Sequence, residues 1–157
     1  HPVEAVTMMD HIAIKVESDL LYQSMIDSQR NTPEATIPDA IMAAMHEVSE
    51  TIQARAIICW TQSGSTALRA ARERSRAPII ALTPSLATAR RLSLVWGLHC
   101  LTAEEIHNLD EMVDQAVDFA EREGFATKGD RIVITGGVPL GVAGTTNMLR
   151  VAMVGTR

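Results

Sequence analysis

The chain has 157 residues, of which 46% are apolar, 21% charged and 3% aromatic, and its length is that of one ordinary domain. Its 14 lysines and arginines are outnumbered by 19 acidic residues, which gives a formal net charge of −5. This balance excludes a large basic surface, so we expect no nucleic-acid partner. We also expect no membrane span, no signal peptide and hence a cytoplasmic location, because no apolar run approaches the ~18 residues of a membrane helix. The first residue is His1 and not Met, which predicts that the sequence is part of a longer chain.

The first third of the chain is predicted to be helical. Apolar residues recur at helical spacing from Val3 to Met25, which indicates one amphipathic helix or a pair. The segment Gln29-Arg30-Asn31-Thr32-Pro33 breaks this pattern. Thr36-Ile37-Pro38 then has the composition of a helix start, and we expect that helix to end near Ala54.

Short apolar runs separated by helical patterns follow. This alternation predicts an α/β fold with a mostly parallel sheet and helices on both faces. The predicted strands are Ala56 to Trp60, Ile79 to Leu82, Leu98 to Leu101, Arg131 to Thr135 and Met148 to Val154. The predicted helices between them are Thr66 to Ser75, Leu86 to Leu94 and Glu104 to Glu123.

The helix predicted from Glu104 has a capping box at its start, Thr102-Ala103-Glu104-Glu105, and Gly124 at its end. Its non-apolar positions are almost all acidic. We interpret them as a solvated face and not as a metal or acid–base site.

A hydroxyl-rich segment, Thr61 to Thr66, joins a predicted strand to a predicted helix. Free backbone N–H groups and the helix dipole favour an anion at such a junction, and the hydroxyls can add hydrogen bonds to phosphate oxygens. Locally, it is equally plausible that Ser63, Ser65 and Thr66 only cap the helix. The spacing and the lysine of a P-loop are absent.

A glycine-rich segment, Thr135 to Asn147, joins the last two predicted strands and contains four of the nine glycines. It is longer than a hairpin needs, so it is a candidate loop to close over a ligand. A flexible connection is an equally fair interpretation, and the spacing does not fit a dinucleotide fingerprint.

Other reactive residues show no catalytic or metal-binding grouping. Cys59 and Cys100 stand inside apolar runs, which predicts buried free thiols, and the histidines lack ligand spacing. Six arginines lie between residues 69 and 91; we favour exposed helix faces over a surface for phosphates or an acidic partner.

Several separated motifs resemble, in order and over essentially the whole chain, the C-terminal domain of pyruvate kinase. The motifs are Thr61-Gln62-Ser63-Gly64, Arg76-Ala77-Pro78-Ile79-Ile80-Ala81-Leu82-Thr83, Lys128-Gly129-Asp130 and Gly144-Thr145-Thr146-Asn147-Met148-Leu149-Arg150-Val151. The start, His1-Pro2-Val3-Glu4-Ala5-Val6, resembles the approach to the last helix of that enzyme's catalytic barrel.

The resemblance implies a two-part fragment. Residues 1–32 would be the end of the catalytic barrel and a linker, and residues 33–157 a regulatory three-layer α/β domain. Its sheet would have five strands, mostly parallel, with the last strand antiparallel. The family transfers the phosphoryl group of phosphoenolpyruvate to ADP with Mg²⁺ and usually K⁺, but those sites lie in the barrel. The fragment alone is therefore expected to hold no cofactor and to be inactive.

The resemblance also implies an effector site and a homotetramer contact near Met148 to Val154. An effector phosphate would be held by Thr61, Gln62, Ser63, Gly64, Ser65 and Thr66. The loop over the sugar would contain Gly137, Pro139, Gly141, Gly144 and Thr145. Family members that take fructose 1,6-bisphosphate commonly have Arg where Ser65 stands, so we expect a monophosphate such as AMP or a sugar phosphate. The alternative is an assembly module with a vestigial phosphate pocket.

Overall fold

The computed structural model describes residues 1–29, 32–142 and 144–155. The chain divides into two compact units, His1–Thr32 and Pro33–Arg157. The first unit contains two helices, α1 (Pro2–Glu17) and α2 (Leu20–Ser28). The predicted helical segment is thus a pair, because the Asp19 side chain accepts the backbone N–H of Leu21 and starts a second helix. Within the predicted break after α2, Arg30 and Asn31 lie outside the described residues.

The second unit is built on a five-stranded sheet, which confirms the predicted fold class. The strands lie in the order β3-β2-β1-β4-β5; the first four run parallel and β5 pairs antiparallel with β4. Their bounds differ from the predicted ones by two residues at most. They are β1 (Ala56–Trp60), β2 (Ile79–Thr83), β3 (Leu98–Thr102), β4 (Arg131–Gly137) and β5 (Thr146–Met153).

Helices cover both faces of this sheet, and the alternation of strand side chains decides which helix packs where. Ile58 and its same-face neighbours pack against one helix, while Ile57 and Cys59 face the other three. These helices are α6 (Leu109–Arg122) on the Ile58 face, and α3 (Ile37–Thr51), α4 (Ser65–Arg72) and α5 (Leu86–Leu92) on the Ile57 face. Because β1 is buried at all five positions, it carries a continuous apolar run, as central parallel strands do.

The predicted start of the last helix is wrong. Thr102 does not cap a helix: it is the last residue of β3 and pairs with Thr83, whose carbonyl accepts the N–H of Ala103. The helix begins at Leu109, where Asn108 accepts the N–H of Glu111 at 2.9 Å. Residues 103–107 are therefore a non-helical connection between β3 and α6.

Three other helices end two or three residues before their predicted ends. Positive φ angles accompany two of these endings, +52° at Gln53 after α3 and +54° at Arg74 after α4, and such angles do not belong to a right-handed helix. Ser75, predicted to be helical, instead places its hydroxyl 3.0 Å from Nδ1 of the buried His46. The remaining helix, α5, ends at Leu92 and not at Leu94.

Two arginines of the predicted cluster hold helices α3 and α4 together. Asp39, which is 4% exposed, forms ion pairs with Arg69 at 3.4 Å and with Arg72 at 2.9 Å. Arg74 lies over the ring of Trp96, 4.1 Å from its centroid. Four of the six arginines are exposed, as the interpretation of the cluster predicts, while Arg69 and Arg74 are half-buried.

The cysteines are free, as predicted, but only one of them is buried. Burial raises the pKa of the Cys59 thiol far above its ordinary value. Cys100 is half-buried, contrary to the prediction, because β3 is an edge strand of the sheet. Burial raises its pKa as well. Neither cysteine lines the cleft at the carboxyl ends of β1 and β4.

Candidate functional site

A cleft opens at the carboxyl ends of β1 and β4. From β1 the chain continues through α4 to β2, which lies on one side of β1, while β4 lies on its other side. The gap between β1 and β4 is therefore the point where the strand order reverses, and open α/β sheets bind ligands at such a point. The loop after β1 and the loop after β4 form opposite walls. The cleft has a volume of about 260 Å³, close to the lower end of the ~300–1,000 Å³ usual for small-molecule sites.

The wall formed by residues 61–66 is held in place by hydrogen bonds within the loop and from helix α5. The Thr61 hydroxyl accepts the N–H of Gly64 at 2.9 Å, and Gly64 takes a φ of +93° at the start of α4. Two side chains of α5 donate to the carbonyls of this loop: Thr88 bonds Gln62 at 3.1 Å, and Arg91 bonds Ser63. These bonds fix the loop through its backbone and leave its own side chains to line the cleft.

The same wall has the chemistry of an anion site. The N–H groups of the first turn of α4 have no partner within the helix, and the helix dipole is positive at this end. The hydroxyls of Ser63 and Ser65 lie 3.3 Å apart at the rim, while that of Thr66 is buried and bonded to Thr146 at 2.7 Å. The N-cap residue of α4 is Gly64, and among the described residues no side-chain hydrogen bond caps this helix, so the capping interpretation of these hydroxyls is wrong.

The opposite wall is the glycine-rich loop, residues 138–145. The Asn147 side chain fixes its base by accepting the N–H of Val138 at 2.8 Å and donating to its carbonyl at 2.7 Å. Inside the loop, the Thr145 hydroxyl donates to the carbonyl of Val142 at 2.8 Å. Ala143 lies outside the described residues. The cleft side of the loop presents Leu140 and Val142 together with glycines.

Nearly all of the residues predicted for the site come together around this cleft. Of the residues predicted to hold phosphate, Thr61, Gln62, Ser63, Ser65 and Thr66 line it, as do Gly137, Gly141, Gly144 and Thr145 of the predicted loop. Gly64 and Pro139 do not. Gly64 instead serves as the N-cap of α4.

A third wall was missed by the sequence analysis. Glu105, Ile106 and His107 line the cleft from the connection between β3 and α6, the segment that had been predicted as helix. Met112 of α6 and Trp60 of β1 complete this side. The available signal was Asn108, a strong N-cap residue followed three positions later by Glu111, which marks the true start of α6.

The described part of the chain has neither a metal-binding group of side chains nor a membrane-spanning helix. Over residues 1–29, 32–142 and 144–155, no three His, Cys, Asp or Glu side chains group so that they could hold a metal ion. Over the same residues, no helix has both the length and the apolar character required to cross a bilayer.

The fold and the cleft define an open α/β domain with a cleft between two loops at the carboxyl edge of its sheet. The family model "Pyruvate kinase, alpha/beta domain" matches residues 39–152, and the chain belongs to this family. It is 50% identical over 153 residues to the pyruvate kinase of Methylorubrum extorquens, covering 98% of this chain and 32% of that protein. It is 38% identical to the enzyme of Clostridium acetobutylicum and 40% identical to that of Geobacillus stearothermophilus, covering 98% of this chain in both and 33% and 26% of the relatives. The chain thus spans a third or less of the length of these relatives.

Proposed function

We propose that this chain is the effector-binding and oligomerisation part of a pyruvate kinase, and that its cleft binds a phosphate monoester. The whole enzyme would transfer the phosphoryl group of phosphoenolpyruvate to ADP, giving pyruvate and ATP. Mg²⁺ and K⁺ would be held by the catalytic barrel, and we assign no catalytic step to the residues of this chain. Its location would be the cytoplasm.

The observation that carries this proposal is the wall of hydroxyl and N–H groups at the start of α4. Ser63 and Ser65 offer hydroxyls at the rim of the cleft, and the first turn of α4 offers backbone donors beside them. Because Arg91 and Thr88 hold the loop carbonyls from the α5 side, the loop is ordered before a ligand arrives. Such a preorganised set of donors favours a phosphate without a further ordering cost.

The charges around the cleft favour one phosphate over two. Among the lining residues that the structure describes, none is Lys or Arg, and Glu105 lies on the third wall. A second phosphate would therefore meet a carboxylate and no cationic clamp. AMP and sugar monophosphates carry a single phosphate and fit this pattern, whereas fructose 1,6-bisphosphate does not.

The test is a thermal-shift titration of the chain with AMP, ribose 5-phosphate, glucose 6-phosphate and fructose 1,6-bisphosphate. A ligand at 100 times its Kd stabilises the folded state by ~2.7 kcal/mol, which corresponds to a rise of roughly 5–10 °C in Tm for a chain of this size. Ser63→Asp places a negative charge at the rim and should abolish the shift while leaving the circular dichroism spectrum unchanged.

The matched control is Leu94→Asp, which adds the same charge at a side chain that is 91% exposed and outside the cleft. This variant should keep the full thermal shift. If Ser63→Asp binds AMP as tightly as Leu94→Asp does, the loop is not the phosphate site. No shift with any of the four compounds would favour the alternative, an assembly module with a vestigial pocket.

A second role, assembly into a homo-oligomer, is supported by the edge strand β5. Among the described residues this strand pairs with β4 alone, and two of its apolar side chains, Val151 and Met153, are 44% and 45% exposed. An open edge with exposed apolar side chains is suited to pairing with a second copy. Light scattering should show a dimer that Val151→Lys converts to a monomer and that the control Leu94→Lys leaves intact. A wild-type chain that stays monomeric at high concentration would contradict this role.

The first unit supports a third proposed role, contact with the enzyme's own catalytic barrel. Helix α1 has no buried residue, and its apolar side chains Val3, Val6 and Ile12 are more than half exposed. A larger apolar surface in the longer protein would cover them. Deleting residues 1–32 should leave the affinity for AMP and the unfolding midpoint of the α/β unit unchanged. A lower midpoint would mean that these helices stabilise the α/β unit instead.

A further inference from the structure

Trp60 has a buried polar group without a partner. It is the last residue of β1, directly before the hydroxyl-rich loop, and only 6% of it is exposed. Its indole Nε1 is buried and has no hydrogen-bond partner among the residues that the structure describes. Buried donors are paired in the great majority of cases, because an unpaired one loses its water without compensation. Because Trp60 lines the cleft, a ligand bound there is a candidate to supply the absent acceptor.

The part of the cleft around Trp60 is apolar. Met112 belongs to the same core cluster as Trp60, and Ile106 and Leu140 pack against that cluster while also lining the cleft. The cleft therefore combines hydroxyl and N–H groups at the start of α4 with an apolar part around Trp60, whose Nε1 is covered by its neighbours. A sugar in the apolar part would place hydroxyls against apolar side chains on all sides, whereas a flat heteroaromatic ring can pack its faces there and keep its polar atoms at its edge.

We propose that Trp60 is a specificity residue of the cleft, whose indole N–H donates to a ring nitrogen or a carbonyl oxygen of a heteroaromatic base on the ligand. This inference rests on the proposed function, since the phosphate of the same ligand would bind at the start of α4. The preferred ligand class is then a nucleoside monophosphate and not a sugar phosphate. The ring faces would contact Met112 and Ile106, and its edge would face the indole N–H.

Entry of such a base requires Leu140 of the glycine-rich loop to move. Leu140 is the side chain of that loop that packs against the cluster around Trp60. It is half-buried; Asn147 bonds Val138 at the base of the loop, and the Thr145 hydroxyl bonds the carbonyl of Val142 within it. The base would displace Leu140 and take over its apolar contacts.

The experiment compares AMP with ribose 5-phosphate, which has the phosphate and the sugar but no base. Isothermal titration of the wild-type chain should give a lower Kd for AMP than for ribose 5-phosphate. Trp60→Phe keeps an aromatic ring and removes the N–H. It should weaken AMP binding roughly five- to tenfold, the range expected for one hydrogen bond, and change ribose 5-phosphate binding less than twofold.

A second measurement uses the wild-type chain and so does not depend on whether a variant folds. The chain has two tryptophans, so a ¹⁵N spectrum should show two indole N–H signals, with Trp96, outside the cleft, as the internal reference. AMP should shift the Trp60 signal strongly and the Trp96 signal little, while ribose 5-phosphate should move neither. Equal binding of the two compounds, or an equal loss of both in Trp60→Phe, would overturn the inference and leave the phosphate site standing. Failure of both compounds to bind the wild-type chain would overturn the proposed function and this inference with it.

Discussion

Gly137→Ala offers a direct test of how the glycine-rich loop is anchored. Gly137 ends β4 at a register irregularity opposite the start of β5. A Cβ at this position would lie 2.4 Å from Oγ1 of Thr145 and 2.7 Å from its carbonyl oxygen, where ordinary contacts begin at 3.4 Å. Since one of these atoms belongs to the backbone, the chain at Thr145 must move by more than half an ångström. Overpacking of this kind costs about 2 kcal/mol, which lowers the Tm of a chain of this size by roughly 4–8 °C.

The same displacement should weaken ligand binding, because Thr145 and Gly137 both line the cleft. Circular dichroism melting and isothermal titration with AMP measure the two effects separately. Gly124→Ala is the matched control: it also adds one methyl group, but at a left-handed position after α6 with open space around it. It should lose about 1 kcal/mol of stability and keep full affinity. A Gly137→Ala variant with the Tm and the affinity of the wild type would refute the reasoning.

Two further predictions concern buried or hydrogen-bonded carboxylates. Asp39→Asn should lower the free energy of unfolding by about 1–3 kcal/mol in urea, because two half-exposed arginines would lose a buried counter-charge; an unchanged midpoint would contradict this. The Thr127 backbone N–H and hydroxyl, together with Arg55, lower the pKa of Asp130. Its carboxylate therefore stabilises the fold above the usual pKa of Asp, and the effect is lost as the pH falls through the lowered value. Asp130→Asn should melt earlier than the wild type at pH 7 and together with it in acid.

The strands could be predicted from the sequence because each is a short apolar run bounded by polar or turn residues. Ala56 to Trp60 was predicted without error, since a central parallel strand is buried on both faces and needs no alternation. The antiparallel β5 came from the family resemblance, and the strand order was not predicted, because local patterns carry no information on which strands are neighbours. The two loops of the cleft were found because hydroxyls and glycines concentrate there.

The third wall was not predicted, because the first of two local helix-start signals was followed and the second, at Asn108, was the correct one. Thr102 to Glu105 has the composition of a capping box, but pairing between β3 and β2 recruits Thr102 into the sheet. The five residues 103–107, which were predicted to be helical, instead form an irregular connection that contributes Ile106 to the cleft. The sequence also could not predict that Trp60 Nε1 is buried without a partner, since the hydrogen bonds of a buried donor depend on its tertiary neighbours. Tertiary context thus decided the part of the site that sets specificity in our proposal.

The two loops of the cleft are joined by one buried hydrogen bond. Thr66, in the first turn of α4, and Thr146, the first residue of β5, share a 2.7 Å contact although 80 residues separate them. The hairpin that carries the glycine-rich loop also carries the open edge of the sheet, because β5 is its second strand. On the proposed function, a phosphate at Thr66 and a base beneath the loop would both act on the first residues of β5. Ligand binding and assembly along the same strand would then share one coupling free energy, so each would strengthen or weaken the other by the same factor.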